Sequence, residues 1–334
     1  MTEHLFVERC CPHCRTRHTP AVALVGEVVG KQRFGVGLVS LIATMREEAR
    51  LPVATIQCGR PLGSIRTCHA LSVSGGAIVG ALHQVAARGA AAVAAIREEI
   101  RGSPVAHLDE TGWREDGVNG DVWTCCTPTA RSFARGSRKG EMVEALLGDA
   151  FAGVLVSDFS AGYAPYPGVK QKCWAHLLRD VHDLWVAHAD DTAVAAWAAG
   201  MHDVYRRATA WKQAQPTADA DTRQAASDRF AAELQTITAP SIEAAVPQRP
   251  LSQRMAKHLH ELFVFVVESA VPPDNNEAER ALRHLVTSRK ISGGTCSVRG
   301  SETKMTLASL FGTWHRQDIN PFRACRALLI SPYP

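Results

Sequence analysis

The stretch Pro104-Val105-Ala106-His107-Leu108-Asp109-Glu110-Thr111-Gly112-Trp113 predicts a buried strand that ends in two carboxylates. Its apolar run, Val105 to Leu108, follows a proline and precedes a predicted turn at Gly112. A carboxylate at the end of a buried strand is costly unless a cation or a hydrogen-bond network holds it. Asp109 is therefore either a turn-capping residue or part of a functional site, and this stretch alone leaves both open.

A second apolar run, Gly153 to Asp158, also ends in an aspartate and predicts another buried strand. If the two strands are neighbours, Asp109 and Asp158 meet at one end of the sheet. Adjacent carboxylates repel each other unless they share a proton or a metal ion, so the pair favours a functional site. Because side chains alternate along a strand, Glu110 is expected to point away from this site.

The segments between the two runs predict the topology. Residues 121–128 and 131–135 are rich in strand-forming residues, and residues 138–151 carry a helical stripe of apolar side chains. The order strand, strand, strand, helix, strand predicts an antiparallel start followed by a crossover to a buried strand.

A third acidic element begins at Pro272-Pro273-Asp274-Asn275-Asn276-Glu277-Ala278-Glu279. The prolines predict a helix start, and Asp274 or Asn275 can cap the exposed amides. At helical spacing Glu279 borders the apolar stripe, whereas Glu277 points the other way and is interpreted as a solvated charge near the helix start. Basic residues follow, and they indicate either a phosphate-binding surface or a solvated helix face.

Between the second and third acidic elements lies Cys173-Trp174-Ala175-His176, at or just before a predicted helix start. His176 could be a core histidine, a metal ligand or a proton shuttle. The flanking regions are predicted to be helical: residues 30–102 before the first strand, with Ser72 or Ser74 as caps, and the Ala-rich residues 187–262. Phe263 to Val267 could be helix or strand.

The totals fit a soluble globular protein with free thiols. The chain has 334 residues, 46% hydrophobic and 21% charged, with a net charge of +4 that permits a polyanionic partner without demonstrating one. The start lacks the apolar core of a signal peptide, and the Ala-rich residues 77–96 carry polar side chains that favour a packed helix over a membrane span. A cytoplasmic location is expected.

Near the start of the chain, Cys11 and Cys14 have the spacing of one zinc knuckle, and His18 could supply a third ligand. A structural zinc site normally uses two such pairs, and no second Cys-x-x-Cys follows. Zinc binding is therefore left open, beside the alternative of half a ribbon whose partner pair is lost or lies upstream.

Four runs together resemble the signature blocks of the insertion sequence 66 transposase family: HLDETGWREDG, GVLVSDFSAGY, CWAHLLRD and DNNEAERALR followed by RK. They occur in the family's order at compatible spacing, and the resemblance extends from about Gly30 to the C-terminus. Only one Cys-x-x-Cys stands where family members have a fuller ribbon, so an N-terminally truncated member is expected.

The resemblance implies a DDE transposase with a ribonuclease H-like α/β core, a mixed sheet with flanking helices. The catalytic triad would be Asp109, Asp158 and Glu279, since the family's last acid is the glutamate before Arg280. Residues expected to position DNA or its phosphates are His176, Arg179, Arg283, Arg289 and Lys290.

The resemblance also implies a layout. Residues 1–29 would be a partial zinc-ribbon-like segment and 30–102 a helical lead-in domain. Residues 103–186 would begin the catalytic core, 187–262 would be a helical insertion, and 263–334 would complete the core with C-terminal helices.

Three carboxylates supply hard oxygen ligands, which predict Mg²⁺ or Mn²⁺, with two ions about 3.5–4 Å apart for phosphodiester displacement. The expected partners are DNA at the element ends and target, further copies of the chain when on DNA, and accessory proteins of the same element, with no membrane. The expected location is the bacterial cytoplasm, at the nucleoid. Two alternatives remain: a truncated relic that binds DNA or a full-length transposase without cutting, and a general metal-dependent nuclease.

Overall fold

A five-stranded mixed sheet forms the centre of the protein. The computed structural model describes residues 9–18, 27–28, 34–58, 72–137 and 140–331. The strands of the sheet are β3 (Val105–Glu115), β4 (Val118–Cys126), β5 (Arg131–Gly136), β6 (Val154–Ser157) and β7 (Lys170–Lys172), in the order β5-β4-β3-β6-β7. The first three pair antiparallel, and β3, β6 and β7 run parallel. A separate antiparallel hairpin joins β1 (Arg9–Cys10) to β2 (Arg17–His18).

Helices flank the sheet. Before it come α1 (Val36–Glu47), α2 (Val53–Cys58) and α3 (Gly75–Arg101), and α4 (Glu141–Leu147) connects β5 to β6. After β7 come α5 (Trp174–Ala187), α6 (Thr192–Ala214), α7 (Ala220–Ile242), α8 (Arg249–Lys257), α9 (Leu259–Leu262) and α10 (Val264–Val267). The chain continues with α11 (Asn276–Ser292), α12 (Val298–Arg316) and α13 (Pro321–Ile330).

This arrangement confirms the predicted α/β class and the order of three antiparallel strands, a helix and a parallel strand. It also confirms helical structure before the sheet and between β7 and α11, although residues 59–71 of the lead-in lie outside the described ranges. The ambiguous run Phe263 to Val267 is largely helical. The boundaries of the proposed domains stay predictions, and much of 1–29 is likewise outside the described residues.

The predicted end of the first strand is wrong. β3 continues past Asp109 to Glu115, and the chain reverses at Asp116–Gly117, where both φ angles are positive, rather than at Gly112. The reason is that β4 pairs with β3 along its whole length, up to Glu115 opposite Val118, so the strand does not stop where its apolar run stops. The parallel partner β6 is shorter and ends at Ser157.

Both faces of the sheet are covered, as strand alternation requires. Ala106 and Leu108 belong to a core shared with α3, whereas Trp113 packs in a second cluster with α11. Asp109 therefore points to the α11 side. This alternation decides which helix can approach the aspartate.

The helix α3 is the one helix, among the described residues, that is long and apolar enough to cross a membrane. Ser74 caps its start as expected, accepting a hydrogen bond from the amide of Ala77 at 3.2 Å. Its middle packs closely on α12: a Cβ added at Gly89 would lie 2.4 Å from Cδ1 of Leu310. The helix thus has a close protein neighbour along its apolar face.

Candidate active site

The three predicted catalytic carboxylates line one cleft. In the parallel pairing of β3 with β6, His107 lies opposite Val156. Two residues later in each segment, Asp109 therefore lies opposite Asp158. Glu279 reaches the same place from α11, which packs on β3. The cleft has a volume of about 510 Å³. It is lined by Asp109, Glu110, Thr111, Asp158, Ser160, His176, Arg179, Glu279, Leu282 and Val286.

The two aspartates are oriented by local hydrogen bonds. One Asp109 oxygen accepts from the amide of Glu110 at 2.9 Å, and one Asp158 oxygen accepts from the amide of Ser160 at 2.8 Å. Each bond fixes one oxygen against the backbone. The second oxygen of each carboxylate is left for a ligand.

The electrostatics of Asp109 fit a cation-binding position. Burial raises its pKa, the amide of Glu110 opposes that effect, and the charges of Asp158, Glu110 and Glu279 raise it further, to about 7. Burial and repulsion both disfavour the charged form. A cation in the cleft would remove this penalty, because it would stabilise the ionised carboxylates.

Glu279 lies beside two residues of α5. Its Oε1 is 3.5 Å from Nδ1 of His176 and 4.0 Å from an Nη of Arg179. Neither Glu279 Oε1 nor His176 Nδ1 makes a hydrogen bond, although both atoms are buried. Unpaired buried polar atoms are uncommon, so these two atoms are candidate ligand-binding atoms.

The start of α11 is fixed by Asn275, whose side chain does not cap the helix. Its Nδ2 donates to the carbonyl of Leu108 at 2.7 Å, and its Oδ1 lies 3.1 Å from Nδ1 of His107. The backbone amide of Asn275 donates to Sγ of Cys173 at 3.1 Å. Asp274 supplies the local cap instead, accepting from the amide of Asn276 at 3.0 Å. Asn275 therefore connects α11 to β3 and to the start of α5.

Lys172 is a residue of the site that sequence reasoning missed. Its buried ammonium donates to the carbonyl of Asp158 at 2.8 Å and to Oγ of Ser157 at 3.2 Å, and lies 5.6 Å from the ring centre of Tyr163. It belongs to β7, which the apolar pattern did not predict because Lys170-Gln171-Lys172 is polar. The available signal was its position directly before the Cys-Trp-Ala-His run.

Glu110 is closer to the site than expected. Alternation does send it to the other face, where the hydroxyl of Tyr163 donates to its Oε2. The chain after β6 turns across this end of the sheet, however, so Glu110 still borders the cleft and its charge raises the pKa of Asp109. The expectation that Glu110 faces away from the site is therefore wrong in part.

Glu277 is not a solvated charge, which corrects the interpretation from the sequence. Its side chain is 13% exposed and lies 3.2 Å from Arg131, 3.0 Å from Arg280 and 3.6 Å from Arg316. Burial alone would raise its pKa, but the hydrogen bonds from Arg280 and Arg131 and the nearby positive charges lower it. As predicted, Glu277 points away from the cleft.

The expected phosphate-positioning residues fall into two groups. His176 and Arg179 line the cleft. Arg283 and Lys290 are exposed on α11 outside it, and Arg289 donates to the carbonyl of Gly112. Arg289 thus braces α11 against β3.

The N-terminal cysteines lie at the turn between β1 and β2. Cys14 is exposed, and hydrogen bonds from Thr16 and Cys11 lower its pKa to about 7. Within the described ranges the set of three clustered metal-ligating side chains is Cys173, His176 and Glu279, and it does not include Cys11 or Cys14. Zinc binding by Cys11 and Cys14 stays a prediction.

Comparison with known proteins identifies the family of the chain. An uncharacterized protein, y4qI of Sinorhizobium fredii, is 26% identical over 190 residues, which cover 51% of this chain and 34% of that protein. The chain thus matches about a third of the relative's length. The model of the transposase IS66 family matches residues 31–303, a span that contains every carboxylate of the cleft. The chain belongs to the IS66 family of transposases.

Proposed function

We propose that the protein cuts DNA at the ends of an insertion sequence and joins them to target DNA, with Asp109, Asp158 and Glu279 as its catalytic carboxylates. Family membership implies DNA as the partner. The observation that carries the rest is the convergence of these three side chains on a single cleft: Asp109 from β3, Asp158 from directly after the parallel strand β6, and Glu279 from α11.

The fold supports this proposal. A mixed sheet with helices on both faces, and with the last acid on a helix that packs against the central strand, suits the ribonuclease H-like core implied by the sequence motifs. The helices α6 to α9 separate the strands from α11 along the chain, which suits a helical insertion before the last catalytic helix. We therefore propose the division of the chain into the five segments 1–29, 30–102, 103–186, 187–262 and 263–334.

The residues fit a divalent metal. The donor set is three carboxylates, and Glu279 has a buried oxygen without a hydrogen bond. Burial, with a smaller contribution from the neighbouring negative charges, raises the pKa of Asp109, and a bound cation would offset both effects. Hard oxygen donors favour Mg²⁺ or Mn²⁺. Asp109, Asp158 and Glu279 would hold these ions. The chemistry supplied by such ions, when bound, would be activation of the attacking oxygen and stabilisation of the leaving oxygen of a phosphodiester.

Other residues of the chain would bind and orient the DNA. The guanidinium of Arg179 is exposed beside Glu279 and suits a phosphate of the scissile strand, and His176 borders the same place. Arg283 and Lys290, exposed on α11, suit the flanking backbone. Leu282 and Val286 form an apolar wall of the cleft. Arg289 would act indirectly, by holding α11 on β3.

The assembly on DNA would contain more than one copy of the chain, because an element has two ends to be joined. Accessory proteins of the same element would assist it. The reaction would take place in the bacterial cytoplasm, at the nucleoid.

A strand-transfer assay tests the proposal. The purified chain is incubated with Mg²⁺ or Mn²⁺, target DNA and a labelled, pre-cleaved element end. Joined product is expected from the wild type and none from Asp109→Asn, with unchanged binding of the end. Binding without joining would support the alternative of a non-catalytic relic. Cleavage without preference for the element end would support a general nuclease.

A further inference from the structure

A softer set of metal ligands lies beside the carboxylates. The sulfur of Cys173, a ring nitrogen of His176 and a carboxylate oxygen of Glu279 all lie within 4.8 Å of one another. Cys173 immediately precedes α5, and His176 follows three residues later, so both side chains lie on the same side of its first turn. Glu279 comes from the first turn of α11. Two helix starts therefore bring a sulfur, a nitrogen and an oxygen together.

Two of the three donors make no hydrogen bond to the protein. Glu279 Oε1 and His176 Nδ1 are buried, make no hydrogen bond and lie 3.5 Å apart. Zinc binds imidazole nitrogen and carboxylate oxygen at about 2.0–2.2 Å, so two atoms at this separation can share one ion. The carboxylate cluster alone explains the free oxygen of Glu279 but not the free nitrogen of His176.

The third donor is held in place by the backbone. Cys173 is fully buried, and its sulfur accepts the amide of Asn275 at 3.1 Å. Burial raises the pKa of the thiol to about 11, against the opposing effect of the amides of His176, Asn275 and Ala175. The metal-free protein therefore keeps the thiol proton at neutral pH. The same amides would stabilise a thiolate once a metal ion replaces that proton.

We propose that Cys173, His176 and Glu279 bind a thiophilic divalent ion, Zn²⁺ in the cell, at a site that shares Glu279 with the carboxylate cluster. Mg²⁺ prefers oxygen ligands and does not select the sulfur. On binding, the S–H bond breaks, an S–Zn bond forms and the proton passes to the solvent, with no change of oxidation state. Water would supply the fourth ligand. Because Glu279 is engaged, Zn²⁺ inhibits the Mg²⁺-dependent reaction, a consequence that rests on the proposed function.

Cobalt titration tests the site without any catalytic assay. Co²⁺ bound by thiolate gives a charge-transfer absorption in the near ultraviolet. The parent is the full chain with Cys10, Cys11 and Cys14 changed to serine, so that the N-terminal hairpin does not contribute. The parent is expected to show the absorption and to lose it on addition of Zn²⁺. In that parent, Cys173→Ser should abolish the absorption, whereas Cys296→Ser, at an exposed thiol elsewhere, should retain it.

A second variant guards against a folding defect in Cys173→Ser. His176→Gln should weaken Co²⁺ binding by more than the roughly 10–100-fold caused by losing a residue that only orients a ligand. Calorimetry of Zn²⁺ binding in two buffers of different ionisation enthalpy should show release of one proton in the parent. An unchanged absorption in Cys173→Ser, or binding without proton release, would overturn the site.

The inhibitory role is measured separately, with strand transfer in Mg²⁺ normalised to each variant's own rate without Zn²⁺. The Zn²⁺ concentration for half inhibition should rise more than about tenfold in Cys173→Ser. Loss of a residue that only orients a metal ligand already lowers metal affinity by about 10–100-fold, and Cys173 is proposed as a ligand itself. Equal sensitivity of parent and variant would overturn the shared site. A cobalt spectrum without any strand transfer would instead refute the proposed function and leave the metal site standing.

Discussion

The side-chain amide of Asn275 donates from Nδ2 to the carbonyl of Leu108 across 2.7 Å, and both residues are buried. Leu108 immediately precedes Asp109 in β3. On the other side, the amide of Glu279 donates to the carbonyl of Asn275 at 3.2 Å in the first turn of α11. This hydrogen bond therefore links the strand that carries Asp109 to the helix turn that carries Glu279.

Replacing this amide should damage both stability and activity. Asn275→Ala leaves the carbonyl of Leu108 and the ring nitrogen of His107 without their partner, and an unsatisfied buried polar group costs about 1–3 kcal/mol. Urea unfolding should show a loss of this size. Strand transfer should fall further than stability alone explains, because the start of α11, which carries Glu279, loses its hydrogen bond to β3.

The adjacent residue provides a matched control. Asn276 lies one position along, and its amide is held by Asp274. Asn276→Ala should therefore change the free energy of unfolding and the strand-transfer rate little. If both alanine variants lost activity equally, the bond between Asn275 and Leu108 would not be what positions Glu279.

Glu47 forms a buried ion pair that joins α1 to Lys304 of α12. Its carboxylate, with a fully buried side chain, accepts from Lys304 at 2.9 and 2.8 Å and lies 3.0 Å from Nε2 of His284. Removing one member of such a pair strands the other charge and costs about 3–5 kcal/mol. Glu47→Gln should lower the free energy of unfolding by this amount, as measured in urea. The double change Glu47→Gln with Lys304→Met should recover much of the loss.

The same ion pair predicts a loss of stability in acid. Burial alone would raise the pKa of Glu47, but the charge of Lys304, together with hydrogen bonding and charge from His284, lowers it from 4.5 to about 2. Because the folded-state pKa is below the unfolded one, this stabilisation is present above about pH 4.5 and is lost as the pH falls to about 2. Unfolding measured across this range should be steeper with pH in the wild type than in Glu47→Gln. Parallel curves would contradict the low pKa.

Lys172 should matter for metal binding although it holds no metal. Its ammonium donates to the carbonyl of Asp158 and so fixes the turn that presents that carboxylate. Lys172→Met should weaken Mg²⁺ binding by about 10–100-fold, the usual effect of losing a residue that orients a ligand. Calorimetric titration of the metal-free protein measures it. Lys170→Met on the same strand, where the ammonium bonds the carbonyl of Tyr166, should leave Mg²⁺ affinity close to that of the wild type.

The parts of the site that depend on short-range patterns can be predicted from the sequence. Two apolar runs ending in aspartate, with a helix between them, require a crossover connection, and such a connection places parallel strands in one sheet. The observed pairing of β3 with β6 follows this rule. Helical spacing likewise distinguishes Glu279 from Glu277, because the two side chains lie on different faces of α11.

Other features depend on contacts between distant parts of the chain. β7 has a polar sequence and exists because β6 offers it a free edge. The arginines around Glu277 come from β5, α11 and α12, and the partner of Asn275 is 167 residues away. Neither composition nor periodicity carries this information, because composition only counts residue types and periodicity only relates residues that are close in sequence.

The two glutamates of α11 give the sharpest test of the catalytic assignment. Glu279→Gln removes a charge from the cleft, where its oxygen has no hydrogen bond to lose, and should nearly abolish metal-dependent strand transfer while leaving urea unfolding unchanged. Glu277→Gln removes the partner of three arginines and should lower the free energy of unfolding by about 1–3 kcal/mol.

The pair of variants is informative because chemistry and stability should respond in opposite ways. At a temperature where Glu277→Gln remains folded, its strand-transfer rate should stay within about tenfold of the wild type, because Glu277 faces away from the cleft. A tenfold change in rate corresponds to about 1.4 kcal/mol in the activation free energy. Wild-type activity in Glu279→Gln, or loss of chemistry in folded Glu277→Gln, would mean that the third catalytic acid is misassigned. Loss of strand transfer in Glu279→Gln, together with activity in folded Glu277→Gln, would identify Glu279 as the acid that α11 brings to Asp109 and Asp158.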